Sequence, residues 1–311
     1  MYTFFYLLAY LSALAFVCLG ILKIIDFFKA SPLHIRWELY PIPHEGPKRG
    51  VYGGSYMEET DWWTKKRHFD HWMDIKAMAL EIFCLHSTYE NKPKLWLRSY
   101  PFHMGLYLLM GGTMLLLFAV ILMLCGVRPH NGFLVFIGNV INAISLFGSF
   151  LIAGGAIALI LRRTTDKGLH KYTTPEMYFN LGTFALFALL TICAWTFNPS
   201  YYDLASNFLY NLFTGHFHRL GSTWFVLSML VGYVILIWVP VTNMRHILIK
   251  YFMYHDIRWG DEATVWSEKN QELINKNLQF KTDWAAPHVA GDRKDETWVE
   301  VATTDPTTPE K

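Results

Sequence analysis

FHMGLYLLMGGTMLLLFAVILMLCG, residues 102–126, runs its whole length without Asp, Glu, Lys or Arg. A helix needs about 20 apolar residues to cross the hydrocarbon core of a bilayer, and this run exceeds that. It carries one imidazole, His103, just inside its start. An ionisable side chain in a membrane helix is expensive, so it is a functional candidate by default. Four more runs of bilayer length occupy 3–28, 132–161, 178–197 and 223–250. The last closes VPVTNMRHILIK (239–250) and holds a second imidazole, His246, near its end.

Composition agrees with an all-α membrane protein built as a five-helix bundle. The 311 residues are 53% hydrophobic and 17% charged, against roughly 25% charge in soluble domains. No basic stripe interleaved with aromatics points to nucleic acid. Charge placement carries more than the net +2. Of 27 Lys and Arg, ten lie between 30 and 99 and nine from Arg245 onward. Arg162, Arg163, Lys167 and Lys171 sit in the loop after the third run, and Lys23 and Lys29 close the first. Only Arg128 and Arg219 are left for the opposite side. The positive-inside rule then puts the N-terminus outside and the C-terminus in the cytoplasm. The first run lacks a positive leader and is expected to be kept as an anchor.

Four segments follow: a first membrane helix (1–29), a cytoplasmic insertion (30–99), a four-helix membrane core (100–250) and a cytoplasmic tail (251–311), disordered at its end. Within the insertion, 61–89 has the composition of an amphipathic helix, either on the membrane surface or docked on a partner. YYDLASNFLYNLF, in the loop 198–222, reads as a short interfacial helix. Cys18, Cys84, Cys125 and Cys193 are scattered, with no CxxC or CxxCH. That argues against an iron–sulfur cluster or c-type haem held by this chain alone.

With this orientation His103 and His246 share one depth, near the cytoplasmic face. Two neutral imidazoles facing each other across a helical bundle are what a six-coordinate b-type haem requires. Arg98, Asn243 and Arg245 adjoin them and suit haem propionates. Gly105, Gly111 and Gly112 are expected to leave room for a flat macrocycle. The bland alternative is a histidine that snorkels to the interface or binds a backbone carbonyl. Asn139, Asn142 and Asn180 read as interhelical hydrogen-bond groups rather than quinone ligands. His34, His44, His68, His71 and His86 show no metal-ligand scaffold, although HFDH puts His68 and His71 on one helical face, as a zinc pair would. His170 and His255 are expected to face headgroups or a partner, and His288 is uninformative.

The five runs, the opening YPFHMGLYLL of the second and the close VPVTNMRHILIKYF of the fifth resemble the gamma subunit of respiratory nitrate reductase and its relatives. The resemblance covers about 1–29 and 95–255. RWELYPIPHE, YGGSYMEETDWW and YFMYHDIRWGDE make it most similar to membrane subunits of transmembrane redox complexes of sulfate-reducing bacteria. Those pair with a cytoplasmic iron–sulfur protein like the catalytic subunit of heterodisulfide reductase. The resemblance implies a bacterial inner-membrane protein that passes electrons between menaquinone or another quinone and such a partner. It matches His103 and His246 to the inner pair of axial haem ligands, with Arg98 and Arg245 at the propionates. The outer pair of ligands would fall at Thr113 and Ser228, so one haem b is expected, with the vacated space as a quinone pocket. His130, His216 or His218 could rescue a second haem, giving a two-haem conduit to a periplasmic multihaem cytochrome c. His218 and Asp203 are weak candidates for proton acceptors. The competing class is a non-redox membrane anchor or assembly subunit.

Overall fold

The computed structural model describes residues 2–30, 36–38, 42–46, 54–284 and 295–303. His34, His288 and the last eight residues lie outside them. Among the described residues, five helices are long and apolar enough to cross a membrane. They are α1 (Tyr2–Lys29), α3 (Pro93–Leu124), α4 (Gly132–Thr165), α5 (Pro175–Thr196) and the helix α7 (Thr223–Trp238) with its extension to Val241. The insertion contributes α2 (His71–Phe83), and the loop before α7 contributes α6 (Tyr201–Thr214). Their ends follow local chemistry. Pro93 and Pro175 open α3 and α5, where a missing N–H costs nothing. Asn131, Ser200 and Ser222 accept first-turn N–H groups of α4, α6 and α7.

The chain folds as two compact units, residues 1–28 with 72–249, and 29–71 with 250–311. The first half of the insertion thus belongs with the tail, and its second half with the membrane helices.

In the first unit α3 and α4 form the closest pair. A Cβ added to Gly105 would stand 2.6 Å from the Gly148 carbonyl oxygen, and one added to Gly155 would stand 2.6 Å from the Phe102 nitrogen. Small residues let membrane helices approach backbone to backbone. Phe102, Ile152, Ala156, Leu181 and Ala188 fill the core beside this crossing. At the opposite end Phe5, Tyr6, Phe208, Phe225 and Tyr233 tie α1 and α6 to α7. The expected interfacial helix is therefore packed on the bundle, with Tyr202, Ala205 and Phe208 buried.

Two expectations need correction. The fifth run is not one helix to residue 250. Proline has no N–H to give and its ring clashes with the preceding turn, and at Pro240 α7 gives way to tight turns over Val239–Val241 and Asn243–Arg245. Helix then restarts as α8 (His246–Phe252). Nor is 61–89 one helix. Asp61 takes a left-handed φ of 54° ahead of a single turn at Trp62–Thr64, and Leu85, at φ 50°, separates α2 from a short helix at His86–Asn91.

The second unit is held by polar contacts between its two distant stretches of chain. The Arg258 carbonyl accepts from Trp37 N and Glu38 N, both at 3.1 Å. Glu38 Oε2 accepts from Arg258 Nε at 2.9 Å and Trp259 Nε1 at 2.7 Å. The described part of the tail also contains a helix, α9 (Glu268–Leu278), and a short helix at Trp298–Thr303.

Candidate functional site

His103 stands on α3, half-buried, and His246 is the first residue of α8, exposed. The break in the fifth run and the start of the second bring their rings to 6.1 Å between centroids, tilted by 55°. Metal–imidazole bonds of about 2 Å on each side, with about 1 Å from each nitrogen to its ring centre, give roughly that spacing. His103 Nδ1 lies 2.8 Å from the Ser99 carbonyl oxygen one turn back, and His246 Nδ1 lies 3.1 Å from the Asn243 carbonyl oxygen. A carbonyl can only accept, so each Nδ1 carries a proton, and the tautomer this selects for a neutral ring has its lone pair on Nε2. Metal-binding histidines nearly always anchor their second nitrogen this way. The two sequence readings, carbonyl-bound and ligand, are thus compatible in one residue.

The segment that carries His246 is itself clamped. Asn180, on α5 and 2% exposed, accepts from Trp238 Nε1 at 2.7 Å and donates through Nδ2 to Asn243 Oδ1 at 2.8 Å. The Asn243 N–H donates to Glu176 Oε1 at 3.2 Å. One buried amide therefore joins the end of α7 to the residue whose carbonyl orients His246. The expectation for Asn180 holds, and Asn142 is similar: its Oδ1 accepts from Tyr202 N at 2.8 Å and its carbonyl from Trp195 Nε1 at 3.2 Å. Asn139 is exposed.

Other sequence candidates fall differently. Arg98 is exposed on the first turns of α3 and Arg245 is half-buried next to His246. Gly105 and Gly112 do not make room for a ligand: Gly105 meets Gly148 and Ile152, and a Cβ on Gly112 would stand 3.2 Å from Ile144 Cγ2. Only Gly111 of the three has open space beside it. Thr113 is exposed and donates to the Leu109 carbonyl at 2.8 Å, whereas Ser228 is fully buried and donates to the Phe225 carbonyl at 2.8 Å. A quinone carbonyl needs donors, and both hydroxyl protons are already given. The two can line a pocket by shape only. His216 and His218 stack at 6.1 Å and 8°, both exposed, and His130 is exposed in its turn. Rings two residues apart hang from one stretch of backbone, which would collide with a porphyrin slotted between them. Asp203 lies in the first turn of α6, its N–H held by Ser200 Oγ at 3.2 Å. His170 Nδ1 lies 3.2 Å from the Tyr178 hydroxyl. Among the described residues no group of three or more His, Cys, Asp or Glu is placed to hold a metal ion.

The second unit contains a cluster that composition did not reveal. Asp261 is bound by His44 Nε2 at 3.1 Å, Arg67 Nη1 at 2.7 Å and the Tyr56 hydroxyl. Arg67 also lies 4.7 Å over the Trp266 ring. Burial opposes the Asp261 charge, yet the three hydrogen bonds and the Arg67 guanidinium hold its carboxyl well below the usual range. Burial and the neighbouring carboxylate push the Tyr56 hydroxyl up. Beside it Glu45 is paired with Arg36 at 2.6 Å. A cavity of about 110 Å³ lined by Glu45, Tyr56, Trp62 and Lys66 opens there.

The described fold and site define an all-α, multi-pass membrane protein with two imidazoles 6.1 Å apart at one end of its helical bundle. No family model, curated protein or solved structure matches the chain.

Proposed function

We propose that the chain is a haem b-carrying membrane subunit of a redox complex, with His103 and His246 as the axial ligands. The single observation that carries this reading is the spacing of the pair, 6.1 Å between ring centroids, with each ring anchored through Nδ1. A haem bound there supplies one-electron exchange through its iron. The residues do the rest: Ser99 and Asn243 carbonyls fix both tautomers, and Asn180 holds the His246 segment in place. Arg245, half-buried beside His246, and Arg98 are the cations available to ionised propionates. The chain's Lys and Arg distribution supports an outside N-terminus and a cytoplasmic His103 end, and the resemblance to the nitrate reductase gamma subunit implies a bacterial inner membrane. The electron partners proposed are a membrane quinone and a cytoplasmic iron–sulfur subunit, as the nitrate-reductase-gamma-like pattern implies.

Replacing either ligand tests the assignment. His103→Ala and His246→Ala should each abolish the b-type absorption band of the purified chain, and His218→Ala should leave it. A full band in either of the first two defeats the assignment. A wild-type chain with no band would leave the anchor reading.

A further inference from the structure

Helix α2 carries its polarity the wrong way round for water. Its exposed face holds Trp72 at 73%, Ile75 at 59% and Phe83 at 56% exposure, with Leu80 beside them and His71 and Lys76 as its polar members. Its acidic residues Asp74 and Glu81 are half-buried on the other side, and Glu81 Oε1 accepts from Ser87 N at 2.8 Å. A helix on an aqueous surface buries its apolar stripe and exposes its charges. Here the environment outside the helix must be the apolar one.

Depth identifies that environment. The Tyr107 hydroxyl, on α3, donates to the Ile82 carbonyl at 2.5 Å, and the Tyr107 and Phe83 rings lie 5.6 Å apart. Trp96 Nε1, nearer the start of α3, donates to the Cys84 carbonyl at 2.8 Å. Counting 1.5 Å per residue back from Leu124, Tyr107 lies about 26 Å along the helix. A hydrocarbon core of about 30 Å then ends just past it, close to His103. The C-terminal end of α2 is therefore pinned at the boundary between acyl chains and headgroups. An indole at the boundary and Lys76, whose stem can run along the apolar face toward water, fit that level.

We infer that α2 is a membrane-embedded interfacial helix whose outer face, Trp72, Ile75, Leu80 and Phe83, is covered by lipid at the His103 end of the bundle. The inference is independent of whether haem is bound. A partner protein on this face is the alternative outcome of the test.

The full chain, with Cys18, Cys84, Cys125 and Cys193 replaced, is placed in nanodiscs of phosphatidylethanolamine and phosphatidylglycerol. Nitroxides are attached at Ile75→Cys, Ala79→Cys and Phe83→Cys, with Lys66→Cys as the exposed reference. Lipid cover is expected to make the first three severalfold more accessible to oxygen than to a water-soluble nickel chelate, relative to position 66. Greater accessibility to the nickel chelate overturns the inference, and so does shielding from both reagents. In the native-cysteine chain, brominated lipid should quench a component of tryptophan fluorescence that Trp72→Phe removes. Equal quenching in both proteins also overturns it.

Discussion

At the scale of single residues, the imidazole pair depends on a side chain that never touches it. Asn180 has both ends of its amide engaged, on Trp238 and on Asn243. Asn180→Ala removes a buried amide and leaves the Trp238 indole N–H without its acceptor, which should cost about 1–3 kcal/mol of stability, read from the thermal melting of the detergent-solubilised protein. Asn243→Ala removes only the exposed partner and should fold. If the clamp orients His246, this variant should loosen one axial bond and let the reduced protein bind carbon monoxide, which the wild type should not. An absorption spectrum under carbon monoxide decides it, and no binding by the variant would show that Asn243 does not position the ligand. The candidate pair itself was legible, because an imidazole in a long apolar run stands out. Asn180 could be read as a hydrogen-bonding group, but its partners could not, since Asn243 is 63 residues away in sequence.

Among the elements, the α3–α4 crossing and the break after α7 show where a linear pattern misleads. Gly105 and Gly112 are seven residues apart, as are Gly148 and Gly155 on the facing helix. That matched spacing was the available signal for helix packing, yet a small residue reads equally as room for a ligand until its neighbour is known. Gly105→Ala or Gly155→Ala should force the helices apart and cost about 1–3 kcal/mol, visible as a lowered melting temperature. Gly111→Ala, with open space beside it, should be nearly silent in the same measurement. The break at Pro240 was hidden by apolarity, since Val239 and Val241 continue the hydrophobic run. Its sign was Pro240 followed by Thr242, whose hydroxyl accepts from Met244 N at 3.4 Å to start the next turn. Because of that break, counting helical positions backward from His246 to Ser228 crosses a non-helical stretch, so helical register alone does not carry the expectation of one haem rather than two.

Across the whole molecule, apolar runs gave the membrane helices away, while the second unit was opaque. Its pairing of His44 and Arg67 with Asp261 joins polar side chains about 200 positions apart, which no periodicity encodes. Asp261→Asn would strip Arg67 of its charge partner in a largely buried setting. It should destabilise this unit by about 1–3 kcal/mol, seen as faster hydrogen exchange in 54–71 and 250–284. The Asp261 carboxyl is lowered in the folded protein, so its stabilisation is complete above the unfolded value near 3.8 and is lost as pH falls below it. Exchange in these two stretches should therefore rise in acid below about pH 4, and the Asp261→Asn chain should show less of that rise.

The central claim is that one porphyrin iron sits between His103 and His246. It is tested most directly by a reduced-minus-oxidised absorption spectrum of the purified wild-type chain together with its haem stoichiometry. The account expects a low-spin b-type spectrum at one haem per chain. A chain that carries no haem, or two, would contradict it.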